Sequence, residues 1–431
     1  MDALVEGKSL PFAERLIFCH DCGILVHSPP LDNNKAAKCP RCGAVLLRHK
    51  TNSIEKTLAF VIAALILFIM AHAFPFMTFS MEGREQVSHI STGIIEFLNQ
   101  GMWILGLAVF LVAVLIPLLK LMSLLVVLWP LHHGRQPAYI APVFRFVERL
   151  HPWAMMEVYL LGVIVAYVKL VDIATIGLGL GLFAFGALIL AMVAADASLE
   201  PAEVWERFRP FEKKGSLPSR IDGKLIGCHA CDLVVSVEQP MEHKHHKCPR
   251  CGASLHRRKA DSLNRTCAFL LTAVILYIPA NVYPVMTVIS FGQGEADTIL
   301  SGVKAFIEAD MWPLAILVFF ASITVPMLKM IGLAYLSVSV KSNSAWRPRD
   351  RTVLYRVIEG VGRWSMIDVF MISILVALVN LGSIATIEPG VGATAFAAVV
   401  VLTMFASMAF DPRLIWDGAT TEHERGANPA S

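Results

Sequence analysis

Charged residues are scarce in this 431-residue chain: only 16% are Asp, Glu, Lys or Arg, whereas soluble globular proteins contain roughly 25%. Hydrophobic residues make up 56% of the chain, and its mean hydropathy is +0.61. The net charge of +3 is too small to suggest bulk electrostatic binding to nucleic acid. The shortage of charge therefore argues against an ordinary soluble domain and predicts a membrane protein.

Motifs of several enzyme classes are also missing. The Gly-Lys-Ser at Gly7 lacks the upstream glycine of a phosphate-binding loop, and neither a nucleophile elbow nor a His-Glu-x-x-His motif occurs. No second histidine matches His72, so paired haem ligands are not expected. The first long apolar run begins near Leu58, after a polar segment, so no cleavable signal peptide is expected. We expect a protein that is not an enzyme.

The chain contains an internal duplication, most visible in the heptapeptide Lys-Cys-Pro-Arg-Cys-Gly-Ala at 38–44 and again at 247–253. An offset of 209 positions carries Pro117 to Pro326 and Lys120 to Lys329, and after a two-residue insertion an offset of 211 carries Trp153 to Trp364. Because nearly constant offsets relate matching residues along most of the chain, the sequence predicts two copies of one module.

Each module contains a polar segment followed by four apolar runs, most of them near the ~20 residues that cross a hydrocarbon core. The sequence thus predicts a polytopic α-helical membrane protein with about eight spans. The predicted spans are roughly 57–79, 101–129, 153–176, 178–195, 267–288, 312–340, 364–384 and 394–410. The predicted domains are a first ribbon at 1–50, a membrane module at 51–210, a second ribbon at 211–260, a second membrane module at 261–417 and a tail at 418–431.

Lysine and arginine residues in the short flanks predict the orientation. They cluster before the first span of each module and between its second and third spans, whereas the opposite loops are mildly acidic. Both cysteine segments, both basic loops and both termini are therefore expected on the cytoplasmic side. An even number of spans in each module makes the repeats parallel rather than inverted.

Each polar segment carries the pattern Cys-x2-Cys-x16-Cys-x2-Cys, which is typical of a four-cysteine zinc site. Two such knuckles supply four thiolates to one tetrahedral ion, and a closed shell of this kind is structural rather than catalytic. The alternatives are disulfides or free thiols, and cytoplasmic placement disfavours disulfides. The eight predicted ligands are Cys19, Cys22, Cys39, Cys42, Cys228, Cys231, Cys248 and Cys251.

Polar residues interrupt the apolar runs, although a charge at mid-membrane costs roughly 2.5–3.5 kcal/mol. Lys329 and Asp368 lie on neighbouring predicted spans, where the lysine side chain can reach toward the carboxylate. Hydroxyls that can complete this cluster are Ser322, Ser365 and Thr403. The first module repeats the pair as Lys120 and Glu157 with fewer hydroxyls nearby, and Lys169 and Asn380 are further polar interruptions. A functional cluster and a structural bridge both remain open.

These residues together resemble the paraquat-inducible protein A family. The resemblance covers nearly the whole chain and rests on the duplicated ribbons and on four motifs, Asp-Thr-Ile-Leu-Ser-Gly-Val at 297–303, Val-Pro-Met-Leu-Lys at 325–329, Gly-Arg-Trp-Ser-Met-Ile-Asp-Val-Phe at 362–370 and Asp-Pro-Arg-Leu-Ile-Trp-Asp at 411–417. The resemblance implies an inner-membrane component that works with a periplasmic tunnel protein built of mammalian-cell-entry (MCE) domains. Together they are implied to move phospholipids between the inner and outer membranes and to maintain the envelope.

Two other functions remain possible on the sequence alone. A membrane thiol oxidoreductase would use the cysteines as redox pairs, which bound zinc would prevent. A zinc-ribbon scaffold would only anchor partners, and substitutions of its intramembrane charges would have no effect.

Overall fold

The computed structural model describes residues 15–28, 32, 35–81, 84–171, 175–209, 224–237, 246–290, 293–379 and 385–418. Within these ranges the protein is mostly helical. The helices are α1 (Ser53–Ala73), α2 (Ile90–Asn99), α3 (Trp103–Phe110), α4 (Ile116–His132), α5 (Ile140–Leu150), α6 (Met156–Leu170), α7 (Leu180–Ser198), α8 (Pro201–Phe208), α9 (Ser262–Val282), α10 (Ile299–Glu308), α11 (Trp312–Phe319), α12 (Val325–Lys341), α13 (Pro348–Val361), α14 (Ile367–Leu378) and α15 (Val391–Ala409). The strands are β1 (Arg15–Phe18), β2 (Leu25–Ser28), β3 (Ala36–Lys38), β4 (Val45–Arg48), β5 (Met77–Met81), β6 (Arg84–Ser88), β7 (Thr175–Leu178), β8 (Lys224–Gly227), β9 (Val234–Val237), β10 (Met286–Ser290), β11 (Gln293–Asp297) and β12 (Ala385–Pro389).

Eight helical stretches in the described residues are long and apolar enough to cross a membrane, which confirms the predicted number of spans. They are Ser53–Ala73, Trp103–His132, Ile140–Leu170, Leu180–Ser198, Ser262–Val282, Trp312–Lys341, Pro348–Leu378 and Val391–Ala409. The third stretch of each module starts earlier than predicted, because the amphipathic helices α5 and α13 lead directly into α6 and α14. The basic segments predicted as loops are therefore largely helical, with their charges on one face.

A π-helical segment interrupts the second span of each module, at Leu111–Leu115 and at Phe320–Thr324. Each segment lies just before a proline, Pro117 or Pro326, in the first turn of the helix that follows. Proline lacks the N–H that would continue the α-helical bonding pattern, and a wider turn accommodates its ring. In the second module this segment carries Ser322 toward the centre of the protein.

Two three-stranded antiparallel sheets cover the end of the spans opposite the ribbons, in the orders β6-β5-β7 and β11-β10-β12. Sequence patterns missed these strands, since each hairpin follows an apolar run without a break in hydrophobicity. Gly179 and Gly390 precede α7 and α15, where a Cβ atom would collide with the carbonyl oxygens of Pro75 and Pro284. Glycine is required there because the two backbones approach so closely.

The duplication is visible in individual hydrogen bonds. The backbone N–H of Glu200 donates to the Ser53 hydroxyl at 2.9 Å, and the N–H of Asp411 donates to the matching Ser262 at 2.8 Å. These bonds join the end of the fourth span to the start of the first, and α1 packs on α7 as α9 packs on α15. The predicted internal repeat is confirmed.

The two modules meet around α14, which lies at the centre of the protein. This helix packs against α6 and α2 of the first module as well as against its own module, and all of its residues are buried. Polar side chains on α14 are therefore shielded from lipid on every side.

Candidate metal centres and intramembrane polar site

The cysteines of each ribbon form one compact cluster. Within each set of four, all Sγ atoms lie within 4.8 Å of one another, and all four residues are buried. The closest pairs are Cys19–Cys42 at 3.4 Å and Cys228–Cys251 at 3.5 Å. These separations exceed the disulfide bond length of about 2.05 Å, so the sulfurs are not bonded to each other. They are close to the roughly 3.8 Å between thiolates of a tetrahedral ion with metal–sulfur bonds of about 2.3 Å. Each cluster can therefore hold a metal ion.

The turns that follow the cysteines are built for this geometry. Gly43 and Gly252, each directly after the second cysteine of a knuckle, adopt positive φ angles of 75° and 71°. Gly23 has φ of 68°, and Asp232 occupies the fourth equivalent position with φ of 58°. The backbone N–H of Gly43 returns to the carbonyl of Cys39 at 2.9 Å, which closes the knuckle. Left-handed turns of this kind bring both sulfurs of a knuckle to the same side.

The cysteine cluster of the first ribbon packs on the second membrane module, while Ile17 and Leu47 of the same ribbon pack near Ala202 of the first. The cysteines of this ribbon share a buried cluster with Tyr355, Phe410 and Trp416. Arg356 of α13 donates to Asp21 Oδ2 at 2.6 Å and to Cys42 Sγ at 3.3 Å. An arginine donor to a ligand sulfur favours the thiolate form and positions it.

The second ribbon packs in the reciprocal way on the first module. Its cysteines share a core with Trp205 and Phe208 of α8, and Arg209 donates to the carbonyl of Pro249 at 3.1 Å. The two ribbons also contact each other, since His20 Nε2 lies 2.8 Å from Asp232 Oδ1. The carboxylate of Asp232 raises the pKa of His20 and favours a charged pair between the ribbons.

The five residues of the predicted polar cluster in the second module are all buried. Lys329 and Asp368 are each 3% exposed, and Ser322, Ser365 and Thr403 are at most 1% exposed. Their elements contact one another: the π-helical segment packs on α14, and the 3₁₀ segment Gly362–Met366 packs on α12 and α15. Both carboxyl oxygens of Asp368 and the hydroxyls of Ser322 and Ser365 lack a hydrogen-bond partner among the described residues. Thr403 instead donates to the carbonyl of Val400 in its own helix.

Lys329 does not form the predicted bridge to Asp368. Its side chain extends along Gly362, where an added Cβ would lie 2.6 Å from Nζ, and the acidic group whose charge acts on it is Glu359. The missing side chain of Gly362 leaves the space that the end of the Lys329 side chain fills. The Ser322 hydroxyl interacts electrostatically with the Asp368 carboxyl, but no hydrogen bond of good geometry joins them.

In the first module, Lys120 has a different partner from the one predicted. Lys120, 2% exposed, donates to Asp196 Oδ2 at 2.7 Å, and His151 Nδ1 lies 3.3 Å from its Nζ. Glu157, the predicted partner, is exposed. It stands in the first turn of α6, whereas the carboxylate that Lys120 contacts is that of Asp196. The pairing of Lys120 with Glu157 was therefore wrong.

The sequence profile described as paraquat-inducible protein A matches residues 54–209 and 263–420, the two membrane modules. The chain belongs to the paraquat-inducible protein A family. This match to both halves agrees with the duplication seen in the helices.

Several relatives in the family match along nearly their whole length. The chain is 33% identical over 419 residues to "Intermembrane transport protein PqiA" of Escherichia coli strain K12, covering 96% of this chain and 98% of the relative. It is also 33% identical over 408 residues to "Lipophilic envelope-spanning tunnel protein A" of the same strain, covering 95% and 92%. A "Probable intermembrane transport protein" of Haemophilus influenzae is 28% identical over 426 residues. No solved structure matches the chain. The relatives are named as transport proteins, which fits a protein that is not an enzyme.

In this family member, a comparison of the two modules could have indicated His151 and Asp196, the residues that the sequence analysis missed. The offset of 211 relates His151 to Gly362 and Asp196 to Ser407. The surroundings of the two lysines are thus equivalent in position but differ in charge. Asn380 and nearly all of the predicted tail lie outside the described residues.

Proposed function

We propose that this protein is the inner-membrane component of an intermembrane lipid transport system. In this proposal it works with a periplasmic tunnel protein built of MCE domains, moves phospholipids between the inner and outer membranes and so maintains the envelope. The support is the similarity along almost the full chain to proteins named for intermembrane transport and for an envelope-spanning tunnel. Eight membrane-spanning stretches are consistent with this role.

Two structural zinc ions complete the protein in this proposal, one in each ribbon. The eight cysteines would bind them as thiolates, and the ions would supply folding free energy to segments too small for a core of their own. Because the cysteine cluster of each ribbon packs on the module that it does not precede, the ions would also stabilise the contact between modules. A redox role for the thiols is disfavoured, since four converging sulfurs form a closed metal site.

The proposed orientation places both ribbons and both ends of the chain in the cytoplasm, with domain boundaries as predicted from the sequence. It follows from the Lys and Arg residues on the ribbon side of the spans. Single cysteines test it in a Cys267→Ala background. Glu85→Cys and Glu295→Cys, both at exposed positions in the far sheets, should react with an impermeant maleimide in intact cells. Arg257→Cys on the ribbon side should react only after lysis, and the reverse pattern would invert the topology.

The buried polar cluster of the second module is the proposed working part of the transporter. A carboxyl group whose two oxygens have no partner in the described chain is costly to bury, and such residues inside membranes usually serve function. Lys329, Asp368, Ser322, Ser365 and Thr403 would change partners during the transport cycle. Lys120 and Asp196 already satisfy each other, so the first module would be mainly structural, with a smaller contribution from Glu157.

The buried carboxyl group of Asp368, which has no hydrogen-bond partner among the described residues, is the observation that carries this proposal. Asp368→Asn keeps the shape of the side chain and removes its charge. It should fail to restore envelope integrity in a strain that lacks the protein and its paralogues, at wild-type membrane levels. Purification of the native complex with lipid mass spectrometry and partner identification tests the cargo and the tunnel protein. Full rescue by Asp368→Asn would contradict a role of this carboxyl group in transport.

A further inference from the structure

The two modules pack differently around α14, despite their duplication. On one side, Gly93 of α2 lies so close that an added Cβ would be 2.5 Å from the Ser373 carbonyl oxygen. Gly302 of α10 is its counterpart in the second module, and an added Cβ there meets no atom within 4 Å. Close packing on one side is therefore replaced by open space on the other.

This space is a cavity of about 30 Å³ between α6 of the first module and β10, α10 and α11 of the second. Its walls are mostly apolar and include Met286 and Met371, which are buried. Roughly 10–15 Å³ is enough for one water molecule, provided that polar partners are available. The cavity is thus large enough for water and too small for a lipid headgroup.

Asp368 lines this cavity with a carboxyl group that has no hydrogen-bond partner among the described residues. A carboxyl group in these surroundings needs donors, and water within the cavity would supply them. The other charged groups that line the cavity are Lys169 and Asp297, and most of the remaining lining is apolar.

Lys169 and Asp297 are half-buried and come from different modules. The two charges act on each other, Lys169 Nζ lies 5.7 Å from the centre of the Phe306 ring, and Asp297 accepts a hydrogen bond from the Ser301 hydroxyl at 3.1 Å. Both residues stand at the end of the spans opposite the ribbons, Lys169 in the last turn of α6 and Asp297 at the end of β11.

The sequence shows that this charged pair is not duplicated. Lys169 corresponds to Asn380 and Asp297 corresponds to Ser88, both uncharged. The two positions that correspond to this pair therefore carry no charge. We call the end of the cavity at Lys169 and Asp297 its mouth. A cavity left by imperfect packing alone would not require two opposite charges there.

We infer that this cavity holds water that connects Asp368 to the membrane face opposite the ribbons, and that Lys169 and Asp297 gate it. The inference rests on the proposed role of Asp368 in transport. It adds the path by which a proton reaches Asp368 and the side of the membrane from which the proton comes. A hydronium ion arriving at the mouth transfers a proton along the cavity water to a carboxylate oxygen of Asp368. One O–H bond breaks as another forms, and neutral water remains.

X-ray radiolysis footprinting of the full chain in lipid nanodiscs tests this route, because hydroxyl radicals formed from internal water oxidise adjacent methionines. Met286 and Met371 should be oxidised although they are only 4% and 7% exposed. Met77 is the matched control, since it is the counterpart of Met286 in the first module and is fully buried. Lys169→Ala should increase oxidation at Met371 by opening the mouth.

Gly302→Leu should fill the cavity and abolish oxidation at Met371, and the milder Gly302→Ala should reduce it without a clash. Oxidation of Met286 and Met371 as slow as that of Met77, in both the wild type and Lys169→Ala, would overturn the inference. Persistence of Met371 oxidation in a folded Gly302→Leu protein would overturn it as well.

The footprint measures water and not transport, so the two proposals fail separately. Full envelope rescue by Asp368→Asn would refute the role of Asp368 in transport and, with it, the proton route. Loss of rescue by Asp368→Asn, together with oxidation of Met371 as slow as that of Met77, would refute only the water route.

Discussion

Lys120 Nζ lies 2.7 Å from Asp196 Oδ2, so the first module neutralises its buried lysine internally. In the second module the equivalent lysine is Lys329, and the position of the carboxylate is taken by Ser407, whose hydroxyl donates to the carbonyl of Met404. The two copies of the module thus differ in how they accommodate the same buried lysine: the first provides a carboxylate and the second a serine. This difference yields the first two predictions.

Ser407→Asp should transfer the ion pair of the first module to the second. We expect a higher midpoint of thermal unfolding, because Lys329 gains a partner, together with loss of envelope rescue, because the cation is no longer available. Ser407→Asn is the uncharged control and should change neither quantity much. A stabilised protein with full rescue would show that an available charge on Lys329 is not needed.

Asp196→Leu should destabilise the first module by about 3 kcal/mol, the lower end of the range for breaking a buried pair, since Asp196 is 30% exposed. The double variant Lys120→Met/Asp196→Leu should recover most of this loss, because no unpaired charge remains. Thermal unfolding in detergent measures both. A double variant no more stable than Asp196→Leu would contradict a simple ion pair and indicate a larger network through His151.

Asp368→Asn and Lys329→Met should each nearly abolish envelope rescue while the protein keeps its fold. The double variant Lys329→Met/Asp368→Leu should also be inactive, since no ion pair joins the two groups in the described chain and removing both restores nothing. Zinc content and detergent gel filtration check the fold. Recovery of activity in the double variant would support a structural bridge instead.

Elemental analysis of the purified chain should find two zinc ions when chelators are absent and thiols are reduced. Cys39→Ser and Cys248→Ser should each retain close to one ion, because the clusters lie in separate ribbons. Loss of the first ion should also loosen the contact of Arg356 with Cys42, so α13 should exchange amide hydrogens faster in Cys39→Ser than in Cys248→Ser. Fewer than one zinc in the wild type would contradict the metal proposal.

Asp411 provides a prediction of pH dependence. The pKa of this buried carboxyl group lies below its usual range, despite the opposing effect of burial, because it accepts hydrogen bonds from the side chain of Arg413 and from the backbone N–H of Lys259. A lowered folded-state pKa stabilises the protein above the unfolded pKa of about 3.9, and this contribution is lost as the pH falls through the folded value.

At neutral pH, Asp411→Asn should therefore cost about 1–3 kcal/mol, the usual penalty when a buried hydrogen-bonded group loses its partners. The difference from wild type should shrink as the pH falls below about 4, measured as thermal midpoints of both chains at each pH. Metal that dissociates at low pH is lost from both chains, so comparing the two chains at the same pH cancels its effect on stability. Asp350→Asn, in an exposed pair with Arg347, is the control and should have little effect. A constant difference at all pH values would contradict this linkage.

The local features of this protein could be read from its sequence. Cysteine spacing within knuckles, apolar runs long enough to span a membrane and a repeated register are all properties of nearby residues or of simple comparison. The β-strands beyond the spans were missed because the hairpins at 77–88 and 286–297 follow apolar runs that give no sign of a change in structure.

By itself, then, the amino-acid order determined the duplication, the two metal-binding clusters and the eight spans, because each depends on spacing along the chain. Only the tertiary structure decided that Lys120 meets Asp196, 76 positions away, that the cysteine cluster of each ribbon packs on the other module, and that a cavity opens beside Asp368. The reason is rotation and packing: successive residues on a helix differ by about 100°, so a side chain's partner depends on which neighbouring helix its face is turned toward. Close contact at Gly93 and open space at Gly302, two equivalent positions, arise from such packing and leave no trace in the sequence.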